Sequence, residues 1–164
     1  MEFRTIIKTG AILAGTAGLA LAGCGFRLRG FDDPAPVLGE LALAGPDDDL
    51  SRLVRERLEA AGTRVADDAE RVLNLGEPEI RRRSLSVLDS GPRDEEMVLI
   101  APFSVQRTGD GAYLLDQQRL EVTTRYTVSD ANLLNQEDLR EEARRELLDA
   151  AVRQLLDRLR SLPR

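Results

Sequence analysis

Two hydrophobic periods alternate along the chain, and together they predict two helices separated by a group of strands. Residues 50–61 and 139–162 carry apolar side chains three and four positions apart, which is typical of amphipathic helices. Residues 97–107 and 119–128 instead alternate apolar and polar positions, which is typical of strands with one buried face. A shorter apolar stretch at residues 37–44 predicts a first strand ahead of the first helix.

Proline and glycine break the region between the helices into shorter pieces. Apolar positions from residue 65 to residue 88 predict extended segments that are interrupted around Gly76 and Pro78, because proline cannot donate to a strand ladder. Pro102 lies inside an otherwise regular strand pattern, so it predicts a free edge or a bulge nearby. Residues 90–94 combine serine, glycine, proline and aspartate, and they predict a turn.

Residues at the ends of the two helices predict where each one begins or ends. The three aspartates at residues 47–49 precede the first helix, where carboxylates accept hydrogen bonds from free N–H groups and suit the positive end of the dipole. We interpret them as caps and not as a metal site, since no further Asp or Asn spacing matches a calcium loop. Gly62 is placed to end this helix, and Asp130 or Asn135 to begin the last one.

The order of elements is strand, helix, several antiparallel strands, helix, and it predicts an α+β fold. We expect a two-layer sandwich in which two amphipathic helices pack on one face of a mostly antiparallel sheet of about four strands. The clearest strand turns one set of residues toward the core: Leu120, Val122, Thr124, Tyr126 and Val128. Its polar set, with Arg119 and Arg125, meets water or a partner.

The N-terminal residues have the pattern of a bacterial secretory signal. Arg4 and Lys8 make the start basic, and an apolar run of small residues follows at 11–21. That run is too short to cross the roughly 30 Å of a bilayer's hydrocarbon core. We therefore expect a cleaved signal peptide and not a membrane-spanning helix.

The four residues Leu21, Ala22, Gly23 and Cys24 resemble a lipobox, the processing site of a lipoprotein precursor. The resemblance implies that a diacylglyceryl group is attached to the Cys24 thiol, that the chain is cut before Cys24, and that the new amine is acylated. Several acyl chains, at about 0.8 kcal/mol for each buried methylene, hold a protein on a membrane essentially irreversibly. The alternative is a buried cysteine that acts as a small hydrophobic side chain.

The chain therefore divides into three expected parts. Residues 1–23 are the signal peptide, residues 24–36 are a lipid-anchored tether rich in proline and acid, and residues 37–164 are a single α+β domain. Cys24 is the only cysteine, so it has no disulfide partner. The residue after it is Gly25 and not the aspartate that tends to mark inner-membrane retention in enterobacteria, which favours the outer membrane.

Composition narrows the classes of function. The chain has 29 acidic and 23 basic residues, a net charge of −6 at pH 7, which makes nucleic acid a poor partner. It has no histidine, so the commonest general base and metal ligand are missing. Asp116 or Glu121 could take part in a carboxylate pair, but no nucleophile, phosphate-binding loop or metal-ligand spacing accompanies them. We expect no enzyme, no metal, and no cofactor beyond the covalent lipid on Cys24.

A more specific resemblance begins at the expected cleavage site. Residues 24–30 read CGFRLRG and are similar to the start of the mature LPS-assembly lipoproteins of the LptE family, which begin with Cys-Gly, an aromatic residue, a variable residue and Leu-Arg. Residues 50–58, followed by Gly62, resemble the first helix of that family. The order of elements fits the family along nearly the whole mature chain.

The resemblance implies a lipoprotein on the periplasmic side of the outer membrane, inside the lumen of the LptD β-barrel. There it would help the barrel assemble, plug it, and assist delivery of lipopolysaccharide to the outer leaflet. A generic lipid-anchored envelope module with another protein partner would share the anchor and the fold, and it is the alternative hypothesis. Recovery of a large outer-membrane barrel with the chain would favour the first hypothesis.

Lipopolysaccharide carries phosphates, which guanidinium groups bind bidentately, so arginines are the candidate ligand or partner contacts. The candidates are Arg82 in the densest arginine run, and Arg119 and Arg125 on the polar face of the clearest strand. Ordinary solvated strand arginines are the competing interpretation. The family's basic contact positions fall near Asp89 and residues 132–135, which are not basic here.

Overall fold

The computed structural model describes residues 38–85, 91–129 and 133–162. These residues fall in the second of the two units into which the chain divides, Met1–Asp33 and Pro34–Arg164. The strands in the described part are β1 (Glu40–Ala44), β2 (Arg64–Val65), β3 (Arg71–Leu75), β4 (Glu79–Ser84), β5 (Pro92–Arg107) and β6 (Tyr113–Ser129). The helices there are α1 (Asp49–Ala60) and α2 (Leu133–Arg160).

All six of these strands belong to one mixed sheet, in which β5 has the most partners. β5 pairs antiparallel with β6 on one side and with both β3 and β4 on the other. β1 extends the sheet beyond β3 and runs parallel to β3 and to β2. The expected sheet of about four mostly antiparallel strands is therefore wrong in strand number and in the pairing of β1. The reason is that α1 is a crossover connection, so the chain re-enters the sheet in β2 and runs parallel to β1.

β3 and β4 lie end to end along β5 and are separated by a bulge. Pairing stops at Leu75 opposite Phe103 and resumes at Glu79 with one extra residue on the β3–β4 side. Within the bulge, the Gly76 N–H donates to the Pro102 carbonyl at 2.8 Å. The N–H and C=O groups of a strand residue point the same way, so the ring nitrogen of Pro102, which carries no N–H, also faces the bulge. Few ladder hydrogen bonds are therefore lost there. The expected bulge near Pro102 is confirmed.

The capping residues of α1 act as the sequence predicts. Asp48 is the N-cap, and its carboxylate accepts a hydrogen bond from the Ser51 N–H at 2.7 Å. At the other end, Gly62 has a φ of 79°, a left-handed conformation that only glycine adopts without strain. The following Thr63 N–H donates to the Leu58 carbonyl at 2.9 Å, which satisfies a free acceptor of the last turn.

The core lies between the helices and the inner face of the sheet, which is the face that carries the odd-numbered residues of β5. The buried residues of β5 on this face are Met97, Leu99, Ala101, Phe103 and Val105. From α2 the core takes Ala143, Leu147, Leu148, Ala151, Val152, Leu155, Leu156 and Leu159. From α1 it takes Leu50, Val54 and Leu58. Full burial of one such leucine contributes roughly 1.5–3 kcal/mol, so this layer supplies most of the stability.

The outer face of the sheet carries the even-numbered residues of β5, and neither described helix covers it. Glu96, Val98 and Ile100 lie along its centre, between side chains of β4 and β6. Val98 and Ile100 are only partly buried. The outer face is thus a surface of the described domain that remains open to a ligand or partner.

Two boundaries differ from the sequence-based expectation. The turn expected at residues 90–94 is wrong from Pro92 onward, because Pro92 already begins β5 and its charged neighbours are held by pairing with β6. α2 begins at Leu133, so Asn135 lies inside the helix and the expected cap at that residue is wrong. Asp130, the other cap candidate, lies outside the described residues.

Replacing Gly76 with alanine tests the packing of the bulge. A Cβ atom at residue 76 would overlap the Pro102 ring, and we expect Gly76→Ala to lower the free energy of unfolding by about 1–3 kcal/mol. Gly109→Ala is the matched control, because a Cβ there meets no atom within 4 Å. Urea unfolding followed by circular dichroism measures both variants. Equal losses of stability in the two would contradict this packing.

Candidate functional site

Two of the three arginines proposed as ligand contacts project from the outer face. In β6, Arg125 stands opposite Glu96 and Arg119 stands opposite Pro102. Both belong to the polar set of β6 that alternation predicts, and both are exposed. Six positions separate them along the strand, which corresponds to about 20 Å. They therefore cannot bind one phosphate group together.

Arg82, the third proposed contact, lies on the inner side of the sheet. It stands opposite Met97, whose side chain is buried in the core. Arg82 forms no hydrogen bond or ion pair with another described residue, although its charge acts on the hydroxyl group of Tyr126. Within the described part of the chain, the three proposed arginines are thus divided between two faces and do not form one site.

A row of three charged side chains instead crosses the outer face, and it consists of Arg83, Glu96 and Arg125. The register of β4, β5 and β6 places them directly opposite one another. Arg83 Nε donates to Glu96 Oε1 at 2.6 Å, and Arg125 Nε donates to Glu96 Oε2 at 3.2 Å. Glu96 is only 3% exposed, whereas the side chains of Arg83 and Arg125 are 68% and 72% exposed.

The two guanidinium groups keep the buried Glu96 carboxylate ionised. Burial on its own would raise the pKa of Glu96, but hydrogen bonds from Arg125 and Arg83 outweigh it, so the pKa lies below its ordinary value. The row then carries one negative and two positive charges. Its exposed guanidinium groups retain N–H donors, so the row can accept one further anionic group.

Sequence reasoning missed Arg83 and Glu96 as members of this row. Alternation within β4 places Arg82 on the opposite face of the sheet from Arg81 and Arg83. To decide whether Arg82 or the pair of Arg81 and Arg83 lies on the outer face, one also needs the register of β4 against β5. That register depends on the bulge at Gly76. No pattern within a single strand carries that information.

At the same end of the sheet, but on its inner face, Glu95 links β5 to α2. The Tyr126 hydroxyl donates to the Glu95 carboxylate at 2.7 Å, and an Arg140 guanidinium nitrogen lies 3.8 Å from it. Burial and this hydrogen bond raise the pKa of Tyr126. The Gln136 side chain donates to the Ser129 carbonyl at 2.8 Å. These contacts hold the first turns of α2 against β6.

The acidic residues that were considered as catalytic groups or metal ligands cap a helix, pair with an arginine or lie exposed on the surface. Asp48 caps α1, and Asp49 accepts a hydrogen bond from Arg144 at 2.7 Å, which lowers the pKa of Asp49. Asp116 and Glu121 are exposed on β6. The described residues contain no group of three or more His, Cys, Asp or Glu residues that could hold a metal ion.

The expected lipid-attachment site lies outside the described residues. Leu21, Ala22, Gly23 and Cys24 therefore remain predictions from the sequence. Neither helix in the described part of the chain combines the length and the hydropathy needed to cross a bilayer.

Glu96→Gln is expected to destabilise the fold, because a neutral amide leaves the two guanidinium groups without their shared counter-charge. The folded-state pKa of Glu96 is lowered, so its charge stabilises the fold fully above the unfolded-state pKa of about 4.3. That contribution is lost as the pH falls through the folded-state value. The gap in free energy of unfolding between wild type and variant should therefore be largest near neutral pH and shrink below about pH 4.

Glu121→Gln is the control for this change, since Glu121 is exposed on the same face and forms no ion pair with a described residue. Urea unfolding at about pH 7, 5 and 3 measures the dependence for both variants. A gap for Glu96→Gln that matches the control at every pH would show that the row does not stabilise the fold.

Comparisons with known proteins agree on one family. The LptE family model, described as "Lipopolysaccharide-assembly", matches residues 26–159. The LPS-assembly lipoprotein LptE of Pectobacterium atrosepticum is 32% identical, and the match covers 88% of this chain and 83% of that protein. The protein of the same name from Yersinia enterocolitica is 28% identical over 90% of this chain and 73% of its own length.

Solved structures share the fold at lower identity. A minor lipoprotein from Acinetobacter baumannii has a TM-score of 0.62 and 23% identity, covering 76% of this chain and 94% of that one. Rare lipoprotein B from Shewanella oneidensis has a TM-score of 0.55 and 24% identity, covering 73% and 89%. The family resemblance drawn from the sequence is confirmed. Because the family model spans most of the chain and a relative is 32% identical, the chain belongs to the LptE family of lipopolysaccharide-assembly proteins.

Proposed function

We propose that this chain is an outer-membrane lipoprotein that partners an LptD-type β-barrel and aids both barrel assembly and the delivery of lipopolysaccharide to the outer leaflet. The observation that carries the proposal is the family match over residues 26–159, which includes nearly all of the described domain. The relatives named LPS-assembly lipoprotein LptE, aligned over most of their own length, support the same role.

The anchor in this proposal is the covalent lipid on Cys24. Its support is the order of segments, since the basic start, the short apolar run and the lipobox lie directly before the point at which the family match begins. Cleavage before Cys24 would make that residue the first of the mature chain. The tether at residues 24–36 would then hold the folded domain at the periplasmic surface of the outer membrane.

The folded domain serves as an interaction module and as the plug of the barrel. Its helices and the inner face of the sheet enclose a continuous apolar core, so it is a rigid body suited to occupying a lumen. Asp48 caps α1, while Asp49 and Glu96 accept hydrogen bonds from arginines, so these acids do not surround a reactive centre in the described part. Such a domain therefore offers a surface to a partner and carries out no catalytic step.

The phosphates of lipopolysaccharide would contact the arginines of the sheet. Arg83 and Arg125 share the single charge of Glu96 and so retain an excess of positive charge on the outer face. Arg82 and Arg119 form no ion pair with a described residue. These are separate positions and not one pocket, which suits a large ligand that carries several phosphate groups.

Co-purification tests this proposal. An affinity-tagged full chain, extracted in detergent from outer membranes, is expected to recover a large β-barrel protein that mass spectrometry identifies. The physical reason is that a plug seated in a lumen dissociates slowly, because it buries a large surface. Failure to recover a barrel would contradict the proposal. Recovery of only a soluble or inner-membrane partner would support the generic envelope module instead.

Replacing Cys24 with alanine tests the proposed lipid anchor. We expect this variant to remain an unprocessed precursor without acyl chains, because the thiol that accepts the diacylglyceryl group is gone. Intact-mass measurement distinguishes the precursor from the mature form. Mature protein of normal mass from this variant would contradict the assignment of the lipobox.

A further inference from the structure

A cleft of about 320 Å³ lies on the outer face, next to the turn that joins β5 and β6. We call it the amide cleft, because the side chains of Asn74, Gln106 and Gln117 form its polar walls. Gly76 and Pro102 also line it. Gln106 lies ten positions from Glu96 along β5, which corresponds to about 33 Å, so the amide cleft is separate from the charged row.

Unused hydrogen-bonding groups line the amide cleft. Asn74 Nδ2 donates to Gln106 Oε1 at 3.1 Å, and this bond orients both amides. It leaves the Asn74 Oδ1 acceptor and the Gln106 Nε2 donor without a partner among the described residues. Gln117 adds a third amide with no described partner. Adjacent donor and acceptor groups match neighbouring hydroxyl groups, since each hydroxyl both donates and accepts.

An exposed aromatic ring completes the cleft. The Tyr113 side chain is 56% exposed, and Tyr113 and Leu85 are the exposed large hydrophobic residues of the described part of the chain. Tyr113 lines the amide cleft and lies outside the hydrophobic core, so its ring offers an apolar surface to a ligand. The electron-rich face of such a ring attracts weakly positive C–H groups, and its burial excludes apolar surface from water.

The absence of ionised side chains from the lining restricts the class of ligand that the amide cleft can bind. No ionised side chain lines the amide cleft, and the nearby Arg107 is paired with Asp110 at 2.7 Å. An anionic ligand would therefore lose its hydration without gaining a counter-charge. A wholly apolar ligand would bury the three amides without hydrogen bonds, which is also unfavourable. A neutral ligand with one C–H face and several hydroxyl groups fits both constraints.

We propose that the amide cleft binds a neutral pyranose unit of a saccharide. The C–H face of the sugar packs on Tyr113, and adjacent hydroxyl groups bind Asn74 and Gln106. The inference rests on the proposed function for the source of the sugar, which would be the saccharide part of lipopolysaccharide. The binding chemistry itself depends only on the cleft.

Titration by nuclear magnetic resonance tests the site. The full mature chain in detergent micelles receives maltotriose in one arm and, in the other, lipopolysaccharide core oligosaccharide freed of lipid and phosphate. We expect the side-chain amide signals of Asn74, Gln106 and Gln117 to shift, with a dissociation constant on the order of millimolar. Tyr113→Ala should weaken binding about tenfold, while Tyr113→Phe, which keeps the ring, should bind nearly as wild type.

The outcomes separate this inference from the proposed function. Shifts with the core oligosaccharide alone support the site and its lipopolysaccharide source, and shifts with both probes support a general pyranose site. No shift with either probe, or shifts that Tyr113→Ala leaves unchanged, would overturn the inference. If a barrel co-purifies while neither saccharide binds, only the amide cleft is refuted. If saccharide binds while no barrel is recovered, only the proposed function is refuted.

Discussion

The alternation of side chains along β5 is the constraint on which the rest of the fold depends. β5 pairs with three strands, so its register determines which face of β3, β4 and β6 is buried. The bulge at Gly76 shifts β4 by one residue against β5 and so sets the register of that pair. Without its extra residue, Glu79 would stand opposite Leu99 and face the core, and Ile80 would turn outward. With it, Ile80 stands opposite Leu99 and packs inward.

The same bulge determines the electrostatics of the outer face. It brings Arg83 opposite Glu96, whereas an unbulged strand would bring Arg82 there. Arg125 from β6 completes the row, and a carboxylate that is costly to bury becomes acceptable because two hydrogen-bonded guanidinium groups surround it. One local backbone irregularity thus links core packing to the distribution of charge on the open face of the sheet.

Local signals predicted most of the elements, and non-local pairing accounts for what they missed. The period of α1, its caps at Asp48 and Gly62, and the buried stripe of α2 are encoded within a few residues, and all agree with the structure. The parallel pairs of β1 join distant segments and leave no mark in a single sequence. The row around Glu96 was missed because it depends on the register of β4 against β5, which the bulge at Gly76 determines. The lipobox at Cys24 is a local motif, and it stays a prediction from the sequence.

Family membership, the expected lipobox and the uncovered outer face of the sheet all support the proposal that a lipid-anchored module serves the delivery of lipopolysaccharide to the cell surface. The most direct measurement is the arrival of newly made, labelled lipopolysaccharide at the outer leaflet after the chain has been depleted from its native cell. We expect surface arrival to fall while synthesis continues, and we expect the wild-type chain to restore it. Unchanged arrival in depleted cells would contradict the proposed role.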